Sequence, residues 1–217
     1  MGTKLPKVLV NAFDLSHKIQ QYGNDALRYY LLRETNFSID GDFSDHRMVS
    51  RLNGELANIL GNLVSRSCAK SLVVDAKVPV IGPLSETDQA IVQKVKILHP
   101  TVDFLISRKC DIQTSIEHIW QLLASLNQYC NETKPWAHKR QGDTERTDTI
   151  MYILLESIRI ISHILEPILP DTAIKLQNIF SNEKISNEHL FDWGQLKSGT
   201  GLIIPDDLIL FKKMAQI

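Results

Sequence analysis

Apolar residues recur at steps of three and four over most of this chain. From Asp45 to Leu72 the stripe is Val49, Leu52, Leu56, Ile59, Leu60, Leu63, Val64 and Cys68. From Asp111 to Cys130 it is Ile112, Ile116, Ile119, Leu123, Leu126 and Cys130. From Thr147 to Leu165 it runs through Ile150, Ile153, Leu154, Ile158 and Ile161. Each is the buried face of an amphipathic helix. Asp45 is placed to cap the first, and Pro167 and Pro170 end the third. Ser85 opens another helix toward Arg108, with Asp88 at capping-box distance and a kink expected at Pro100. Two short helices come earlier, Asp14 to Tyr22 closed by Gly23, then Asn24 or Asp25 to Arg33. A further one spans Asp171 to Phe180.

These elements predict an all-α helical bundle. Residues 1–40 read as a small separate unit, 41–182 as the bundle, and DGDFSD (Asp40 to Asp45) as the hinge between them. The last stretch, 183–217, contains GTGLIIPDDLILF, broken by Gly and Pro. It reads as a short extended element laid on the helices.

Length and charge narrow the function classes. The chain has 217 residues and a net charge of −1. That argues against broad, non-specific nucleic-acid binding and leaves room for a local, shape-specific site. No apolar run approaches the ~18 residues that span a bilayer. The opening MGTKLPKVLV is neither a secretory signal nor an Arg-rich transit peptide. Cys68, Cys110 and Cys130 form an odd set without CxxC, read as small core residues in a reducing compartment. The sequons at Asn36 and Asn131 then carry no meaning.

Self-sufficient catalysis finds no support in the motifs. Gly199 and Gly201 stand alone, without a preceding strand to make a phosphate loop. The seven histidines form no HExxH, and no Glu lies three residues before a His. Asp40-Gly-Asp42 begins like a calcium loop, but Asp45 and Arg51 stand where that loop needs Gly and Glu. No metal site, cofactor or catalytic residue is expected in this chain.

Two features remain. Asn58, Asn62 and Arg66 follow one another at steps of four on the polar side of a helix. They are either a solvated face or, as amide plus guanidinium fork, a match for a nucleobase edge. NETKPWAHKR, 131–140, places Pro135 and Trp136 where a helix stops. The ring is either a core plug at a corner or a stacking face beside cations. Lys134, Lys139 and Arg140 are either a phosphate patch or a soluble loop.

Three runs together resemble the C-terminal part of methionyl-tRNA synthetases, which are class I enzymes. They are YGNDALRYYLLRE (22–34), DGDFSDHRMVSRLNGELANILGNLVSR (40–66) and NQYCNETKPW (127–136). The resemblance implies a stem-contact region in 1–40 and an anticodon-binding bundle after it. It implies that Trp136 stacks on the first anticodon base while Asn62 and Arg66 read that base's edge. Pro135 and Asn58 are expected to assist. The partners implied are the anticodon stem-loop of tRNA(Met) and the family's catalytic domain. The whole enzyme would use ATP and magnesium to join methionine to its tRNA. No HIGH motif occurs in the sequence. In the KMSKS register only Lys4 matches, with Thr3 a hydroxyl, so the chain alone is expected not to aminoacylate. The closing SGTGLIIPDDLILFKK is similar to short organellar and bacterial-type forms. The expected location is the mitochondrial matrix, with the cytoplasm as the alternative. A second reading makes the chain a free-standing helical module that binds protein or RNA.

Overall fold

The structure, a computed structural model, describes residues 14–34 and 43–215. Among these the fold is all-helical, and the sole β feature is an isolated antiparallel bridge between Lys77 and Gly201. The helices are α1 (Leu15–Tyr22), α2 (Asn24–Glu34), α3 (Asp45–Arg51), α4 (Asn62–Ser67), α5 (Glu86–Lys109), α6 (Ile112–Thr133), α7 (Pro135–Arg140), α8 (Thr144–Leu165) and α9 (Pro170–Ile179). A π-helical segment, Leu52–Gly61, joins α3 to α4, with right-handed helical dihedrals at both junctions. The three pieces make one rod. It ends at Ser67 rather than Leu72, because Cys68 leaves helical geometry (φ −100°, ψ 13°).

Local chemistry sets the boundaries. Asp14 caps α1 by accepting from the His17 amide, and Gly23 closes it at φ 85°. Ser44 caps α3 through the Arg47 amide, so Asp45 is the first helical residue and not the cap. The Ser85–Asp88 capping box is formed in both directions. Helix α5 runs unbroken through Pro100 and stops at Cys110, which is left-handed (φ 52°). Asp111 and Asp143 cap α6 and α8. Pro170 starts α9, where its missing N–H costs nothing. Of the expected hinge DGDFSD, residues 40–42 lie outside the described residues, as do Thr3 and Lys4.

Helix α8 is the central post. It buries residues on every face, including Ile150, Ile153, Leu154, Ile158 and Leu165, as a helix enclosed by others must. Each fully buried side chain of this kind contributes ~1.5–3 kcal/mol. The N-terminal helices share this core: Tyr22, Ala26, Tyr29 and Tyr30 belong to the same buried cluster as α6 and α8. The Tyr29 ring lies against Trp120 of α6 at 4.4 Å. Asp25 of α2 accepts from the Thr172 amide (2.6 Å) and the Asp171 amide (3.3 Å), capping α9 from across the molecule.

Two buried charge groups tie helices and tail. Asp88 of α5 receives both arms of Arg146 of α8 (2.5 and 2.9 Å) and the Tyr129 hydroxyl of α6 (2.6 Å). Burial alone would raise the Asp88 pKa. The Arg146 guanidinium, the Tyr129 hydroxyl and Ser85 overcome that and hold it at about 2. A carboxyl depressed on folding stabilises above its unfolded value, near 4, and that stability disappears as pH falls through 2. About 2 kcal/mol of stability is therefore expected to be lost between about pH 4 and pH 2. Urea unfolding across that range checks it: Asp88→Asn should remove the corresponding part of the slope.

In α8, Glu156 and Arg159 pair while almost fully buried. Arg159 also donates to the Leu190 and Asp192 carbonyls, and Glu156 accepts from the Gly194 and Gln195 amides. The segment after α9 is thus clamped to the central helix. Further on, Asn53 exchanges two hydrogen bonds with the Met214 backbone (2.8 and 2.9 Å). The tail runs over the helices as an irregular chain whose one β feature among the described residues is the Lys77–Gly201 bridge.

Candidate nucleic-acid interface

Helix α6 ends at Thr133, and Lys134 turns the corner. Its backbone is left-handed (φ 45°, ψ 61°), and its amide bonds the Cys130 carbonyl. A residue ahead of proline avoids the right-handed helical region, so α6 cannot run on. Pro135 then starts α7 at its first position, buried against the bundle. PWAHKR is therefore a short helix and not a loop. The Arg140 Nε bonds the Trp136 carbonyl at 3.3 Å across one turn of it.

Trp136 is neither sealed in the core nor fully exposed. The ring is half-buried and packs on the edge of the core. The Arg66 guanidinium carbon stands 5.1 Å from its centroid. Such a cation–π contact contributes ~0.5–1 kcal/mol at an accessible site. Arg66 is held there by Asn131, whose Oδ1 accepts from Nη2 at 2.7 Å. Two features seventy residues apart in sequence thus form one cluster. Asn62 is exposed one helical turn before Arg66, and its side-chain amide has no hydrogen-bond partner among the described residues. Asn58 is exposed too, but inside the π segment, where turns are wider. Only Asn62 and Arg66 keep the regular i, i+4 relation.

The neighbouring cations divide. Lys134 and Arg140 are exposed, and Lys139 is half-buried. Burial raises the Asp148 carboxyl while Lys139 pulls it down, so part of the Lys139 field is directed at α8. His138 bonds Asp143 at 2.9 Å. The Arg146 amide, then His138, hold Asp143 below its usual range. Cys130 lies under the cluster; burial pushes its thiol up, against the opposing pull of Arg66.

Sequence reasoning missed Asn131 and Asn127. Asn131 looked like a stray sequon. Asn127 donates from Nδ2 to its own helix at the Leu123 carbonyl and across to the Ile59 carbonyl, both at 3.0 Å. Their spacing of four, inside NQYCNETKPW, was the available signal. Among the described residues no group of three His, Cys, Asp or Glu could hold a metal ion.

Chemically, the cluster offers an aromatic face, a guanidinium with donors beyond the one given to Asn131, and an open amide. That set suits a planar ligand with a hydrogen-bonding edge.

Comparison with known proteins points the same way. Residues 1–68 match the family model for class I tRNA synthetases (M). Residues 78–216 match the anticodon binding domain of methionyl tRNA ligase. Methionine–tRNA ligase of Thermotoga maritima is 35% identical over 98% of this chain and 34% of its own length. That of Rhizobium meliloti is 32% identical over 94% of this chain and 40% of its own. The free-state crystal structure of Mycobacterium tuberculosis methionyl-tRNA synthetase superposes with a TM-score of 0.81 at 29% identity, covering 92% of this chain and 40% of that one. The chain thus spans between a third and two fifths of these relatives' lengths. With one family model over its first third and another over most of the rest, the chain belongs to the methionine–tRNA ligase family and carries its anticodon-binding domain.

Proposed function

We propose that this chain recognises the anticodon of tRNA(Met) as the C-terminal part of a methionine–tRNA ligase. The observation that carries the reading is the Arg66 guanidinium over the half-buried Trp136 ring, with Asn62 open one turn away. A cytosine entering the ring face displaces Arg66 toward the base edge, where its donors meet the N3 and O2 acceptors. The Asn62 amide oxygen accepts from the exocyclic amine. Pro135 fixes the start of α7 and so the angle of the ring. Asn58 extends the polar face, and Lys134, Arg140 and, more weakly, Lys139 meet backbone phosphates. Residues 1–40 act as the stem-contact region toward the catalytic domain. In the whole enzyme that domain supplies methionine activation with ATP and magnesium. A mitochondrial matrix location rests on the closing SGTGLIIPDDLILFKK run, with a cytoplasmic bacterial-type enzyme as the alternative.

Binding of this chain to anticodon stem-loops tests the reading. A CAU loop should bind more tightly than loops changed at the first anticodon base. Trp136→Ala should weaken CAU binding by the worth of one stacked base, ~1–3 kcal/mol, which is about 5- to 150-fold. Equal affinity for CAU and non-CAU loops would sink the proposal and favour a general RNA- or protein-binding module.

A further inference from the structure

The two halves of the cluster sit on different helices. Asn62 and Arg66 belong to the rod that starts at Asp45, while Asn131 and Trp136 belong to α6 and α7. Their meeting depends on the rotational register of the rod, because each residue of slip turns an α-helix by about 100°. That register is not the one a regular helix would give. The π segment lies directly before Asn62, and the Asn62 backbone N–H forks to the Ala57 and Ile59 carbonyls. Gly61 fits this geometry: a Cβ there would stand 3.3 Å from the Leu56 carbonyl oxygen. π turns cluster at functional sites because they re-aim the side chains beyond them.

Asn127 is the outside contact placed to hold that register beside the site. Its amide spans from the Leu123 carbonyl of α6 to the Ile59 carbonyl of the π segment. It lies one turn before Asn131, which holds Arg66 itself. At the other end of the segment, the Asn53–Met214 pair fixes the rod to the tail. We propose that Asn127 and the π segment form a register lock that aims Asn62 and Arg66 at the Trp136 ring, making Asn127 a positioning residue for base reading. The proposal rests on the anticodon-reading assignment above.

The test measures the affinity ratio of this chain for CAU and UAU anticodon stem-loops. The proteins are the wild type, Asn127→Leu, Gly61→Ala, Arg66→Ala and the Asn127→Leu/Arg66→Ala double variant. Circular dichroism and thermal midpoints establish that each is folded. Asn127→Leu is expected to lower the ratio about tenfold, the size of one lost specific contact. It should add less in the Arg66→Ala background, where Asn62 is the one aimed residue left. A purely structural role would weaken both loops alike. An unchanged ratio in folded Asn127→Leu overturns the lock, and so does a loss of undiminished size without Arg66. Should Asn127→Leu fail to fold, Gly61→Ala decides. A regular helix would accept that change, whereas the lock predicts a reduced ratio. A wild type that does not discriminate overturns the anticodon reading and the lock together. Discrimination in the wild type that survives in the variants overturns the lock alone.

Discussion

Arg159→Met is expected to cost about 3–5 kcal/mol of unfolding free energy, the usual penalty for stranding a buried charge. Glu156 is fully buried, and in the variant its ionised carboxylate keeps only the Gly194 and Gln195 amides. The Leu190 and Asp192 carbonyls lose their donor at the same time. Glu156→Leu together with Arg159→Met should recover part of the loss by restoring an apolar α8. The double variant should still leave the tail loosely held, because its amides and carbonyls have no replacement partners. Urea unfolding gives the energies, and limited proteolysis reports cutting within 183–197. An Arg159→Met protein within about 1 kcal/mol of the wild type would contradict this account.

The second large effect is expected at the joint between the N-terminal helices and the bundle. Tyr29 is fully buried, its ring rests on Trp120, and its hydroxyl bonds Glu55 of the π segment. Tyr29→Ala should cost about 3–5 kcal/mol through the cavity it leaves. Glu55 would still be paired with Arg51 (2.5 Å), which limits the electrostatic part. Tyr29→Phe keeps the ring and should cost only about 1 kcal/mol. If the joint fails before the bundle does, hydrogen exchange will speed up in α1 and α2 of Tyr29→Ala and stay slow in α8. Uniform acceleration would mean that the two parts open as one.

The legibility of the fold in the sequence depends on what each residue needs. Several helix starts were readable to within a few residues because capping is local: Asp14, Ser85 and Asp111 act on amides three residues away. The apolar stripes were readable because burial keeps to the helical period. The π segment was not, since LNGELANILG has the apolar spacing of an ordinary helix, and its contact with Asn127 of α6 joins residues 68 positions apart. Glu156 and Arg159 were passed over because a pair at i, i+3 usually lies in solvent. Their setting among Ile153, Leu154, Ile158 and Ile161 was the overlooked clue. Trp136 and the Asn62–Arg66 step were picked out by spacing and side-chain chemistry. Their contact, and the part of Asn131 in it, required the fold.

The contact between Arg66 and Trp136 also bears on how such proteins can be recombined. One partner falls in the stretch matched by the class I model and the other in the stretch matched by the anticodon-domain model. A chimera spliced between residues 68 and 78 would join two intact-looking modules. It would inherit Asn62 and Arg66 from one parent, and Asn127, Asn131 and Trp136 from the other. Specificity in such a hybrid should match neither parent unless both sides of the seam were exchanged together.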